Sequence, residues 1–220
     1  VNHKGNLSSC RNQPVTMSEL YPKRLPWVNY LWKSMEVPTE PKLKATLKTR
    51  FEPMKNSILK AYDTATAQLL TLLGSLTNAQ LNKSPFPGSW TAGQVGDHLD
   101  KSYRVSSILT GKVADTNRPP DQKLQEISTQ FLNFDIKMDS PEAIRPTDVP
   151  IDKTNRLSQL NEKIQWVLTH CPDMDLTKTC LDFTIQAYGP FTRMEWIGFN
   201  TVHTQRHIHQ LTQIIKHIKN

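Results

Sequence analysis

Four stretches of this 220-residue chain repeat their apolar residues with the period of a helix, and that pattern admits helices packed on one another and little else. From Lys55 to about Leu76, the residues Ile58, Leu59, Tyr62, Ala65, Leu69, Leu72 and Leu73 fall along one face. A second helix is expected at Thr91-Ala92-Gly93-Gln94, which has capping-box spacing: the Thr hydroxyl holds the N3 amide while the Gln side chain reaches back. It should run to about Gly111, since glycine suits a helix C-cap. The third, from about Asp152 to His170, carries Leu157, Leu160, Ile164, Val167 and Leu168, and Pro172 follows it. The fourth opens with a second capping box, Thr192-Arg193-Met194-Glu195, and continues to the C-terminus. Four long helices predict an all-α fold, a four-helix bundle.

Link lengths predict the topology. The stretch from Asn78 to Ser89 is loop-like, with Pro85 and Pro87-Gly88 as breakers, so helices one and two should be antiparallel neighbours. The link from Lys112 to Ile151, about 40 residues, is long enough to return across the bundle. It lets helices two and three run the same way, giving up-down-down-up with a long crossover between helices 2 and 3. A short helix is expected inside it, from Asp121 to about Phe134, after Pro119-Pro120. In the 171–191 link, Cys180-Leu181-Asp182-Phe183-Thr184-Ile185 reads as a short extended segment. Residues 1–34 show no such period and open on Val1, so they read as an N-terminal extension, disordered or a gene-model artefact. The alternative is a docking arm anchored by Trp27 and Trp32. The bundle domain is residues 35–220.

Composition removes several function classes. The net charge is +7, but residues 1–34 carry +4 of it and residues 35–220 only +3. A concentrated basic face, which displaces counterions from phosphates, is therefore missing from the bundle, and no nucleic-acid partner is expected. No run of about 18 apolar residues occurs, so no membrane span is expected. Cys10, Cys171 and Cys180 are an odd number without Cys-x-x-Cys spacing, which argues against a disulfide scaffold and a zinc ribbon. The expected compartment is the cytoplasm.

The histidines carry most of the chemical information. His203 and His207 are four apart in the last helix, which puts both imidazoles on one face with Cβ atoms about 5–6 Å apart. Trp196, Asn200, Leu211, Ile214 and Ile218 share that face, so the pair points at the core; His209 and Gln205 fall elsewhere. His98 shares the inward stripe of helix two with Val95 and Ser102, and antiparallel packing of helices two and four would bring all three histidines level. Zn²⁺ favours neutral imidazole nitrogen, and three protein ligands leave a position for water or substrate. Gly93, Gly96 and Gly198 in the histidine-bearing helices fit close helix approach or room for a ligand. A hydrogen-bonded core cluster is the ordinary alternative, and Thr204 stands where a zinc protease would have its glutamate. Asp97 and Asp100 flank His98 and read as solvated helix residues, the alternative being that one of them is a partner that supports the His98 imidazole. Asn200 is placed to orient an imidazole or a water, and Asp182 and Tyr188 to overhang the site; Asn200 and Asp182 are the catalytic candidates.

Two segments carry a family resemblance. Trp90-Thr91-Ala92-Gly93-Gln94-Val95-Gly96-Asp97-His98-Leu99 resembles the tryptophan-led helix start and first histidine of the DinB-like (DinB/YfiT-like) superfamily. Gly189-Pro190-Phe191-Thr192-Arg193-Met194-Glu195-Trp196, with Val202 to Leu211, resembles its last helix. The likeness covers about residues 45–220 and implies an up-down-down-up bundle holding a divalent metal on His98, His203 and His207. It implies Zn²⁺, with Ni²⁺ as rival, and a small-molecule substrate, a low-molecular-weight thiol among the candidates. Characterised relatives include thiol S-transferases and isomerases, and many members are labelled only as metal-dependent hydrolases. The expected function is accordingly a metal-dependent enzyme of thiol S-transferase or hydrolase type. The alternative is a non-catalytic metal-binding stress-response or interaction module. A homodimer is implied by analogy alone.

Overall fold

The computed structural model describes residues 40–219, with side chains from residue 51. The readings made for residues 1–34 lie outside the described residues. By its internal contacts the chain divides into Val1–Leu47 and Lys48–Asn220, and the bundle belongs to the second unit.

Both capping boxes form. Thr91 Oγ1 accepts from Gln94 N–H while Gln94 Oε1 accepts from Thr91 N–H, and α3 (Ala92–Ser102) starts there. Thr192 and Glu195 make the same reciprocal pair at the head of α7 (Arg193–Lys219). The remaining bundle helices are α1 (Glu40–Gly74) and α6 (Lys153–His170), the latter capped by Asp152. Their apolar faces meet in one core: Tyr62, Leu69 and Leu73 of α1, Val95 and Leu99 of α3, Leu160 and Ile164 of α6, and Ile197 and Leu211 of α7 are all buried.

Side-chain pairings give the helix directions. Tyr62 lies against Tyr103, and Leu73 packs beside Gly96, so α1 and α3 are antiparallel. Asp97 pairs with Arg156 and Asp100 with Lys163, so α3 and α6 run parallel. Trp90 stacks on His207 while the Leu109 carbonyl accepts from Arg193, so α7 runs against α3. Lys55 reaches the Pro172 carbonyl and Lys153 the Leu76 carbonyl, which sets α1 and α6 antiparallel. The bundle is up-down-down-up, and the parallel α3–α6 pair requires the long crossover between them.

Local departures have local causes. Helix α1 continues through Pro53 to Glu40, rather than starting at Lys55; the sequence reading began where the proline's missing N–H would end an ordinary helix. Thr77 and Gln80 form a third capping box that makes α2 (Asn78–Leu81), in a stretch expected to be loop. The second bundle helix does not reach Gly111 unbroken. It stops at Ser102, whose hydroxyl donates to the Leu99 carbonyl, and resumes as α4 (Val105–Thr110). Nor is Gly111 a left-handed cap, since its backbone is extended; a Cβ there would collide with the Asp182 carboxylate. Within the crossover lie β1 (Val113–Ala114) and α5 (Leu124–Phe131), and β2 (Thr179–Cys180) pairs antiparallel with β1, Val113 opposite Cys180. The close approach expected at Gly198 is real: a Cβ there would collide with Leu124 of α5 and sit 3.1 Å from Ile58 Cδ1.

Candidate metal centre

Antiparallel packing of α3 on α7 brings the three inward histidines together, as the two helical stripes require. His98 Nε2 and His207 Nε2 each lie 3.1 Å from His203 Nε2. The three rings are 3%, 6% and 8% exposed for His98, His203 and His207 respectively, so bulk water does not solvate them. Aromatic rings wall the cluster. Trp90 lies 5.2 Å from His98 and stacks at 6.3 Å on His207, while Phe199 stacks on His203 and Phe131 meets it edge-on.

The outer nitrogens fix two of the tautomers. His98 Nδ1 is 2.8 Å from the Ile144 carbonyl, which can only accept, so Nδ1 carries the proton and Nε2 presents a bare lone pair. His207 Nδ1 donates in the same way to Gln210 Oε1 at 2.8 Å. His203 Nδ1 is buried without a hydrogen-bond partner among the described residues. Burial pushes all three imidazoles toward the neutral form. The His98 pKa falls, although the Ile144 carbonyl and Asp97 oppose the fall; His207 is pushed down to about 3 by burial and by His98. His203 drops well below the ordinary value through burial and through its two histidine neighbours and Arg206. Neutral imidazole is the form that binds metal.

This donor set fits a divalent cation. Two converging lone pairs with no proton between them repel each other, and a single His203 proton can satisfy only one of them. Nitrogens held tetrahedrally about 2.0–2.1 Å from a shared ion stand about 3.3–3.4 Å apart, so the two Nε2 separations of 3.1 Å need open by only a few tenths of an ångström to admit one. The three candidate ligand atoms all lie within 4.8 Å of one another, and no other such cluster of His, Cys, Asp or Glu occurs among the described residues.

The other sequence candidates take different places. Asn200 is buried one turn before His203; its Nδ2 donates to the Trp196 carbonyl and its Oδ1 has no hydrogen-bond partner among the described residues. Asp182 is not brought to the histidines: its Oδ2 accepts the Lys112 N–H at 2.7 Å. Tyr188 puts its hydroxyl on Gln130 Oε1. Asp97 and Asp100 are not solvated, as the sequence reading had them, but buried in ion pairs with Lys101, Arg156 and Lys163. Burial would raise the Asp97 pKa, yet Lys101, the Thr147 N–H and Arg156 together hold it below the usual value. Sequence reasoning missed the Ile144 carbonyl, Gln210 and Phe131. Of these only Gln210 had a sequence signal, its place three residues after His207.

Fold and site together define a class, helical bundles with a buried three-histidine cluster spanning two antiparallel helices. The chain belongs to the DinB superfamily, whose pattern matches residues 61–211. Among solved structures it is similar to YfiT from Bacillus subtilis, described as a probable metal-dependent hydrolase with an unusual four-helix bundle topology. The identity is 18%, the TM-score 0.47, and the match covers 83% of this chain and 90% of that one. A comparison with curated proteins found no match. No described helix is long and apolar enough to cross a membrane.

Proposed function

We propose that this protein is a divalent-metal-dependent enzyme acting on a small molecule, with His98, His203 and His207 as the ligands, Zn²⁺ as the ion and Ni²⁺ as its rival. The observation that carries the reading is the convergence of three Nε2 atoms, two of them kept deprotonated by hydrogen bonds on the opposite side of the ring. A bound divalent ion would supply positive charge that lowers the pKa of a thiol or a water toward neutrality. The chain's own residues do the rest. Ile144 and Gln210 hold two rings in one tautomer, and Trp90, Phe131 and Phe199 keep the surroundings apolar, where charge acts over a lower dielectric. Asn200 Oδ1, buried one turn away and without a hydrogen-bond partner among the described residues, is the polar atom available to orient His203 or a reactant.

Of the two reaction types, thiol S-transfer and hydrolysis, both need a group that becomes nucleophilic on losing a proton. The test is a screen of the zinc- and nickel-loaded protein with small thiols plus electrophiles, and separately with esters and amides. Turnover that disappears in His203→Ala supports the enzyme. One observation favours the second reading, a metal-binding module without turnover: the carboxylate of Asp182, a catalytic candidate, is engaged by the Lys112 N–H instead of lying at the histidines. Stoichiometric metal with no turnover across the screen would support that module and count against the enzyme.

A further inference from the structure

Asp97 and Asp100 flank His98 and share Arg156, yet they reach different parts of the molecule. Asp100 is held entirely on α6: its Oδ1 accepts from Lys163 at 2.7 Å and its Oδ2 from Arg156. Asp97 Oδ1 also accepts from Arg156, at 2.7 Å, but its Oδ2 takes the backbone N–H of Thr147 at 2.8 Å as well as Lys101 at 2.9 Å. Thr147 lies three residues beyond Ile144, the residue whose carbonyl receives the His98 Nδ1 proton. Two further side chains of α3 grip the same short segment. Gln94 Nε2 donates to the Thr147 carbonyl at 3.2 Å and Lys101 Nζ to the Arg145 carbonyl at 2.8 Å. Ser140 Oγ, 3.3 Å from His98 Nδ1, belongs to the same strap.

We infer that Asp97 is a positioning residue for the metal centre, acting on His98 through the backbone of residues 144–147. The inference rests on the metal reading above and assigns a role within it. Thr147 has a backbone donor that must be answered, and Asp97 is the buried acceptor that answers it. With that bond made, the strap lies along α3 and the Ile144 carbonyl faces the outer nitrogen of His98. The proton is thereby kept on Nδ1 and the Nε2 lone pair aimed inward. Without it, the imidazole is free to move its proton to Nε2 or to rotate, and either change takes one ligand away. Partners of this kind shift metal affinity by about 10–100-fold when removed.

The experiment compares full-length wild type, Asp97→Ala, Asp97→Asn and Asp100→Asn. Asp97→Asn keeps the shape and, with its amide oxygen on Arg156, turns its N–H₂ toward the Thr147 and Lys101 donors; the Thr147 amide shift in NMR spectra shows that the strap bond is lost, so this variant serves if Asp97→Ala does not fold. Zn²⁺ affinity is read by chelator competition below the unfolding temperature of every variant. The His98 ring proton is read by ¹⁵N-resolved NMR of the metal-free protein. The expected result is a loss of Zn²⁺ affinity of about 10-fold or more in the Asp97 variants, together with loss of the slowly exchanging Nδ1–H signal. Asp100→Asn, which cuts ion pairs to α6 and leaves the strap alone, should keep both. Asp97 variants that bind Zn²⁺ like wild type, or no worse than Asp100→Asn, overturn the inference. Wild type that binds no Zn²⁺ overturns the metal reading instead, and the ring-proton comparison, which needs no metal, still decides the role of Asp97.

Discussion

At the scale of single residues, burial decides which groups are reactive. Cys171 and Cys180 are free thiols at 0% exposure, and burial pushes both up to about 11. Their unfolded counterparts ionise near pH 9, so between those values the unfolded chain binds fewer protons and stability falls as pH rises. At pH 8.5 an alkylating reagent should leave both unlabelled in the native protein and modify both once denaturant is added, as peptide mass spectrometry would show. Rapid native labelling of either would mean that it is not buried. The histidines were legible because residue type and helical spacing alone place them on inward stripes. Asp97 and Asp100 were misread for the opposite reason. Arg156 and Lys163 lie more than 50 residues away, and the one local partner, Lys101 four residues after Asp97, has the spacing of an ordinary solvated helix pair.

At the scale of elements, the two histidine-bearing helices start where their capping boxes put them, while the start of α1, the Thr77–Gln80 box and the helix interruptions went unread. Thr91/Gln94 and Thr192/Glu195 act through neighbours three residues apart, which a sequence displays directly. The break after Ser102 and the passage through Pro53 run against the cap and breaker patterns a sequence displays. Glu195 shows how much one capping residue can conceal. Besides closing the cap on Thr192, its fully buried carboxylate takes both guanidinium donors of Arg118 at 2.6 Å and the Lys123 N–H at 3.0 Å. It thus ties the start of α7 to the crossover beside α5. Glu195→Ala leaves two backbone donors unanswered and the Arg118 guanidinium with only the Pro119 and Pro190 carbonyls, and should cost about 3–5 kcal/mol by denaturant unfolding, against the ~1 kcal/mol of an ordinary cap. A loss confined to the smaller figure would mean the Arg118 pair contributes little.

At the scale of the whole molecule, link length carried the topology. A connection of about 40 residues between α4 and α6 was enough to infer that the second and third bundle helices run parallel, because shorter loops return the chain antiparallel. The crossover's path was not legible: several of its contacts to α3 and α7 run through backbone carbonyls, which carry no residue signature, as at Ile144, Arg145 and Phe131. That path ties the site to the fold, since the segment between α5 and α6 reaches His98 through the Ile144 carbonyl and Ser140 Oγ. Metal at the centre should therefore stabilise the bundle as a whole. Zinc at 100 times its dissociation constant would add about 2.7 kcal/mol, and chelation should lower the melting temperature of wild type but not of His203→Ala. Equal melting curves with and without chelator would place any bound metal away from this cluster.

The central claim is that His98, His203 and His207 hold one divalent ion, and the most direct test is metal content by mass spectrometry on the full-length chain purified without a histidine tag. Wild type should carry about one equivalent, and His98→Ala and His203→Ala, each shown to be folded, should carry almost none. Wild type without metal, or metal that survives both substitutions, would contradict the account and return the three histidines to a packed, hydrogen-bonded core.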